Sequence, residues 1–334
     1  MNNIIKRSFV ALLGTGLALQ LAACNNASPK LVGEPPRETR KTEGTELQTF
    51  NPSVDILFVI DDSGSMWTHQ NNLRVNADLF TAGLLNNKFV DYHIGVISTS
   101  VQKQWSGAGG GELYGRVPWI DRSTPNGAQV LKDNIMIGTN GDVTEKVFDP
   151  LVKALTDPVL SNQNAGFYRP SAHLAVVVIT DAEDQSVLYD PLQTTAFLFG
   201  LKGGISQKIL TYGVIVPSLD ATDCSRDSWD KPLRLEQFFD LTKGSYYGLC
   251  DSDYGTKLAR IGADLVERVG RRVLLDRRPI LDTVRVTYGS QEITPDADFG
   301  WSYDAGENSI VLGRRILWSD QPLGTTVQVQ FTAL

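Results

Sequence analysis

Two apolar runs that stop in the same way constrain this chain more than any other feature. Asp55-Ile56-Leu57-Phe58-Val59-Ile60 is followed at once by Asp61-Asp62-Ser63-Gly64-Ser65-Met66, and Ala175-Val176-Val177-Val178-Ile179 by Thr180 and Asp181. A short, nearly continuous aliphatic run reads as a strand buried on both faces, as in a parallel sheet covered by helices. At the carboxyl edge of such strands the chain turns toward a helix, and ligands of open α/β sheets gather there where the strand order reverses. Gly64 permits the tight turn, so Asp61, Ser63 and Ser65 can converge on one point. If the two strands are neighbours, Asp181 stands beside them. Carboxylate and hydroxyl oxygens are hard donors, suited to Mg²⁺, Mn²⁺ or Ca²⁺ and poorly suited to softer metals.

The surrounding pattern agrees with an α/β, doubly wound, mostly parallel sheet. Strands are expected at residues 55–60, 92–98, 174–179 and 209–216, and helices at 71–85, 145–155, 191–199 and 233–241. In a final helix Leu258, Ile261, Leu265, Val266 and Val269 make one apolar stripe. After about residue 275 the period becomes alternating, with Val284, Val286 and Tyr288 in one segment and Val327, Val329 and Phe331 in another. Turn signals at Gly289-Ser290 and Asp304-Ala305-Gly306 separate these short strands. The expected organisation is a signal peptide at 1–23, a lipidated cysteine and flexible tether at 24–48, an α/β domain at 49–275, and a small β-sandwich-like domain or β extension at 276–334.

Asp-x-Ser-Gly-Ser after a first strand and Thr-Asp after a fourth resemble the metal-ion-dependent adhesion site of von Willebrand factor A domains. The resemblance covers roughly residues 54–270 and extends to bacterial adhesins of that type. It implies that Asp61, Ser63 and Ser65 bind a divalent cation directly or through water, that Asp181 completes the shell, and that a threonine on a middle loop adds a ligand. The family's Gly-Gly-Thr is absent. Gly138-Thr139-Asn140-Gly141-Asp142-Val143-Thr144 offers Thr144, next to the helix expected from Glu145, or else Thr139. Few carboxylates surround such an ion, so it keeps net positive charge and an exchangeable position that a partner's acidic group can fill. Binding, and not enzyme catalysis, is the implied activity, directed at a protein or cell-surface ligand with an exposed carboxylate. Glu183 and Asp184 are expected on a solvated loop, with a second acidic site as the alternative reading.

The amino terminus gives the address. Lys6 and Arg7 precede an apolar run over residues 9–23 that stops at Cys24, shorter than the roughly 20 apolar residues a membrane span needs. Leu21-Ala22-Ala23-Cys24 resembles the lipobox of bacterial lipoproteins, which implies lipidation of Cys24 and a membrane anchor. Each buried lipid methylene contributes about 0.8 kcal/mol, so several acyl chains hold durably. Asn25, in place of the aspartate of inner-membrane retention, points to the outer membrane or cell surface, with a periplasmic face also open. The formal net charge of −7 becomes more negative once Lys6 and Arg7 leave, which makes nucleic acid a poor partner. Of 3 cysteines, Cys24 is consumed by lipid; Cys224 and Cys250 remain, an even pair in an oxidising compartment, expected to form a disulfide.

Other signals carry less. His69, His93 and His173 lack zinc-ligand spacing and read as structural. Gly109-Gly110-Gly111 is not followed by Gly-Lys-Ser/Thr, and no G-x-S-x-G nucleophile elbow occurs. Trp105, Tyr114 and Trp119 lie in a segment, 99–137, poor in regular pattern; they can pack that segment onto its own domain or face a partner. Two functions stay in view: a lipid-anchored adhesin, and a structural scaffold subunit of a periplasmic or outer-membrane complex.

Overall fold

Successive side chains of a strand point to opposite faces of its sheet, and every residue of Ser53–Ile60 is buried, so both faces must be covered. The computed structural model describes residues 44–50, 52–86, 90–102, 107, 109–218, 231–251, 253–322 and 325–334. Through them the chain runs β1 (Thr45–Phe50), β2 (Ser53–Ile60), α1 (Trp67–Asn86), β3 (Asp91–Ser98), β4 (Trp119–Ile120), α2 (Gly127–Ile135), α3 (Phe148–Ala154), β5 (His173–Ile179), α4 (Pro191–Leu201) and β6 (Ile209–Ile215). It continues through α5 (Leu233–Thr242), β7 (Ser245–Gly248), α6 (Tyr254–Arg271), β8 (Arg272–Leu274), β9 (Arg285–Tyr288), β10 (Gln291–Ile293), β11 (Trp301–Asp304), β12 (Ser309–Leu312) and β13 (Val327–Thr332).

One sheet has the order β4-β3-β2-β5-β6-β7, parallel throughout except where the short β4 meets β3. Strand order reverses between β2 and β5, which lie side by side with Ile60 opposite Ile179. Ile56, Phe58 and Ile60 share a core cluster with Leu73 and Phe80 of α1, Leu131 of α2, and Leu258, Ile261 and Leu265 of α6. Leu57 and Val59 join a second cluster with Phe148 and Leu151 of α3, Leu198 of α4, and Leu235 and Phe238 of α5. This is the doubly wound sheet that the buried runs predict.

The β part consists of an antiparallel sheet β1-β13-β9-β10 and a three-stranded sheet β11-β12-β8, which enclose Phe50, Val286, Trp301, Ile310, Val329 and Phe331. Two expected boundaries shift. Residues 45–48, placed in the tether by composition, are strand: β1 pairs along its length with β13, but its alternating exposure reads as solvated chain. Residues 272–274, placed at the end of the α/β domain, are β8, paired with β12. The α/β body is thus inserted between strands of the β part, and the described residues cluster as one compact unit. His173 and Gln207, at the amino-terminal edge of the parallel strands, line the same clefts as Arg272, Leu274 and Glu307. The β part therefore adjoins the edge opposite Asp61.

Local differences also appear. The helix expected from Glu145 starts at Phe148, and segment 99–137, read as irregular, contains β4 and α2. Tyr114 packs against the first core cluster and Trp119 against the second, where its ring lies 4.2 Å from that of His93. Trp105 lies outside the described residues.

The helices α1 and α6 approach closely because position 262 has no side chain: a Cβ there would stand 2.3 Å from the carbonyl oxygen of Phe80. Gly262→Ala must push the two helices apart and is expected to cost about 1–3 kcal/mol. Gly200→Ala on α4, where nothing lies within 4 Å, should instead be neutral or stabilising by up to about 1 kcal/mol. Urea unfolding of both variants checks the contrast.

Candidate metal centre

The site begins where β2 runs out of ladder partners. Asp61 donates its backbone N–H to the Ile179 carbonyl (3.0 Å), which carries the β2–β5 pairing one residue beyond the strands. Its side chain is buried. Oδ1 accepts the Ser63 backbone N–H at 2.8 Å, and Oδ2 accepts the Thr180 hydroxyl at 2.6 Å. Thr180 Oγ1 in turn accepts the Ala182 N–H at 3.0 Å, so one hydroxyl orients the Asp61 carboxyl and fixes the turn that carries Asp181.

Beyond Asp61 the chain makes a tight 3-10 turn at Gly64–Met66, and Ser63, which precedes it, makes no side-chain capping bond. The Ser63 hydroxyl instead stands 3.1 Å from that of Ser65. A plain helix cap would have used that oxygen on the backbone. Gln70, fully buried in α1, donates to the carbonyl of Asp61 at 2.8 Å and to that of Gly138 at 2.7 Å, fastening the helix to the first and third loops at once.

Asp62 turns away from this set. Both its oxygens accept the Ser100 hydroxyl at 2.9 Å, and Thr99 donates to Oδ1 at 3.2 Å. Gly141 packs on it so closely that a Cβ would come within 2.3 Å of the Asp62 carboxyl carbon, and the Gly141 N–H donates to the Asp62 carbonyl at 2.8 Å. The third loop, with Thr139 and Thr144 both half-buried, is therefore seated on Asp61-Asp62. Thr144 does not abut a helix as expected, since α3 starts four residues later, and neither threonine caps it.

Burial pushes the Asp61 carboxyl up to about 7, the nearby Asp181 charge adds to the effect, and the Thr180 and Ser63 hydrogen bonds only partly oppose it. The carboxyl so placed is held by neutral donors, the Ser63 N–H and the Thr180 hydroxyl, with the charge of a second carboxylate, Asp181, nearby. Two hydroxyls and two carboxylates form an all-oxygen donor set, so the residues fit a hard divalent cation. Among the described residues no cluster of three or more His, Cys, Asp or Glu side chains is placed to hold a metal, so any cation here depends on hydroxyl ligands.

Several residues around the centre escaped sequence reading. Glu145 is raised by burial and by the charges of Asp181 and Asp62 nearby. Asp184, expected on a solvated loop, is buried and paired with Arg234 at 3.0 Å. Local pattern gives no sign of this, because the helix whose N–H groups Asp184 and Ser186 accept, α3, lies earlier in the chain. His69, half-buried in the first turn of α1, feels the Asp181 charge, though burial dominates and lowers its pKa. His93 bonds the Phe167 carbonyl at 2.7 Å, and burial holds His173 down to about 4, consistent with structural roles. Cys250 is disulfide-bonded, while Cys24 and Cys224 lie outside the described residues.

No protein-family model matches the chain, and no curated protein matches it. Solved structures give distant likenesses. The pilus adhesin SpaC from Lactobacillus rhamnosus GG, in an open conformation, is 12% identical over 85% of this chain and 39% of its own, with a TM-score of 0.41. A von Willebrand factor type A protein from Catenulispora acidiphila is 13% identical over 87% of this chain and 65% of its own, with a TM-score of 0.38. Proximal thread matrix protein 1 from the mussel byssus, solved with a zinc-occupied MIDAS motif, is 12% identical over 69% of this chain and 52% of its own, with a TM-score of 0.40. The chain thus spans less than two thirds of each of these proteins. At such distances the fold and the site rest on this chain's own strand order and side chains.

Because the Asp61 carboxylate is costly in the absence of a cation, Asp61→Asn in chelated buffer at pH 8 should be at least as stable as the native protein. Saturating Mn²⁺ should then raise the melting temperature of the native protein and leave the variant unmoved. Thermal melts with and without Mn²⁺ check both halves.

Proposed function

We propose that this chain is a lipid-anchored surface protein that binds an acidic group on a protein or cell-surface partner through a divalent cation. Asp61, Ser63, Ser65 and Asp181 would hold the ion, with Thr144 or Thr139 adding a ligand from the third loop. The bound ion would supply a positive charge for a partner carboxylate, in a binding protein and not an enzyme. The observation that carries this reading is the Asp61 carboxyl, buried and oriented by the Thr180 hydroxyl at 2.6 Å beside two serine hydroxyls 3.1 Å apart.

Two further features support it. Trp67, the first residue of α1, and Val143, Val187 and Leu188, on loops of the same edge, are exposed, as expected where a partner protein docks. Among the described residues β1 belongs to the β part, which adjoins the sheet edge opposite Asp61 and leaves the edge of the proposed cation site uncovered by it. Lipid anchoring on Cys24 is supported by the lipobox-like Leu21-Ala22-Ala23-Cys24, and no helix among the described residues is long and apolar enough to cross a membrane. We assign Cys224 as the partner of the disulfide-bonded Cys250.

A deletion strain complemented with Asp61→Ala should fail to attach to other cells or surfaces, and native complement should attach only until a chelator is added. Attachment by the Asp61→Ala strain would overturn the reading. Protease shaving of intact cells should release the native protein; protection would favour a scaffold subunit facing the periplasm. Mass spectrometry of the mature protein should show a gain of about 2 Da on reduction, from one disulfide.

A further inference from the structure

The loop that carries Asp181 and the segment that carries the third-loop candidates are joined by two buried carboxylates. Asp184 reaches from the first to the second: its Oδ1 accepts the backbone N–H groups of Val147 (2.7 Å) and Phe148 (3.1 Å) at the start of α3. Asp149 of α3 reaches back, accepting the N–H groups of Val187 (3.2 Å), Leu188 (3.1 Å) and Tyr189 (3.2 Å). Ser186 fills the space between, donating to Asp184 at 2.6 Å while its oxygen accepts the Phe148 and Asp149 N–H groups at 3.0 Å. The Gln185 N–H closes the contact on the Glu145 carbonyl at 2.8 Å.

A carboxylate with a fully buried side chain needs a counter-charge. Arg234 provides it, with Nε 3.0 Å from Asp184 Oδ2 and Nη2 on the carbonyls of Ser186 (3.0 Å) and Tyr189 (2.9 Å). Asp184 is three residues from Asp181, and Val147 is three from Thr144. The bonds that cap α3 therefore also set how far apart the two proposed ligand loops stand.

We propose that Asp184 is a positioning residue of the metal site: it fixes the third ligand loop against the loop of Asp181, with Arg234 balancing its charge. The inference rests on the cation-binding reading above. In this chain, which lacks the Gly-Gly-Thr turn, a carboxylate from the neighbouring loop holds that segment in register.

The test is Mn²⁺ titration calorimetry on the full mature chain, with hydrogen exchange of the Val147 and Phe148 amides in chelated buffer as a second readout. Asp184→Asn should weaken Mn²⁺ binding about tenfold, as loss of an outer-shell partner does, and should speed exchange at both amides. Asp55→Asn is the control for stability alone. It removes another fully buried carboxylate paired with an arginine, Arg169 at 2.8 Å, six residues back along β2. It should lower the melting temperature without moving Mn²⁺ affinity. Should Asp184→Asn not fold, Ser186→Ala should weaken binding in the same direction by a smaller factor. Native Mn²⁺ affinity in the Asp184→Asn protein, or in Ser186→Ala where that is the variant that folds, together with loss of binding in Asp61→Ala, would overturn the inference and leave the cation site standing. Absence of Mn²⁺ binding in the native protein would overturn both.

Discussion

The hydrogen bond between Thr180 and Asp61 ties together the parts of the molecule that matter for function. It crosses from the end of β5 to the end of β2, the two strands between which the sheet changes its direction of growth. Parallel pairing brings these ends level, since Ile60 faces Ile179 and the Asp61 N–H continues the ladder. Without that register the hydroxyl could not reach the carboxyl, and Asp61 would be a buried acid with a single backbone donor. The register is itself imposed by burial: a one-residue slip of β2 would exchange Ile56, Phe58 and Ile60 with Leu57 and Val59 between two differently shaped cores.

The opposite edge of the sheet has a different task. With the α/β body inserted between β1 and β13, those two strands pair in one small antiparallel part beside the amino-terminal ends of the parallel strands. α6 runs straight into β8, and β8 pairs with β12, so the body is attached at two points. Such an attachment leaves the carboxyl edge free of the β part, and the loops there are held instead by their own polar network of Gln70, Asp62, Asp149, Asp184 and Arg234. The Gln70 amide nitrogen and the Asp62, Asp149 and Asp184 carboxylates of this network each have protein partners, and such paired buried groups hold the loops in a defined arrangement.

How much of this was legible in the sequence follows from the range of the forces involved. The buried strands, the turn at Gly64 and the pairing of Asp61 with Thr180-Asp181 rest on local pattern plus one rule about parallel sheets, and Asp-x-Ser-Gly-Ser can be read directly. β1 could not be read, because an edge strand buries only part of one face and its partner β13 lies at the other end of the chain. Residues 145–147 kept a helical period, yet the helix starts at Phe148 because its first free N–H groups are satisfied by Asp184 and Ser186, residues that come later in sequence. Asp184 looked like a solvated acid for the same reason: its arginine lies fifty residues away. Composition cannot distinguish a carboxylate in water from one buried against a distant guanidinium.

Charge balance at the edge decides what such a site can recognise. Asp61, Asp62, Asp142, Glu145, Asp181, Glu183 and Asp184 all lie on its loops, and a cation surrounded by that many carboxylates would be over-neutralised and indifferent to an acidic partner. The hydrogen bonds divide them. Asp62 is turned to Ser100 and Thr99, Asp142 accepts the Val101 N–H, Glu183 accepts the Arg234 N–H, and Asp184 is paired with the Arg234 side chain. Glu145 accepts from Gln185 Nε2 at 3.2 Å. The proposed shell takes Asp61 and Asp181 as its carboxylates, with serine hydroxyls for the rest, and Asp61 itself is held by the Ser63 N–H and the Thr180 hydroxyl. In a site partly removed from water, an ion held this way gains from a further anion only while its immediate ligands carry no more negative charge than it can use. The Arg234 guanidinium offsets the charge of Asp184, while the hydrogen bonds to Asp62, Asp142, Glu145 and Glu183 fix where those carboxylates point without removing their charge.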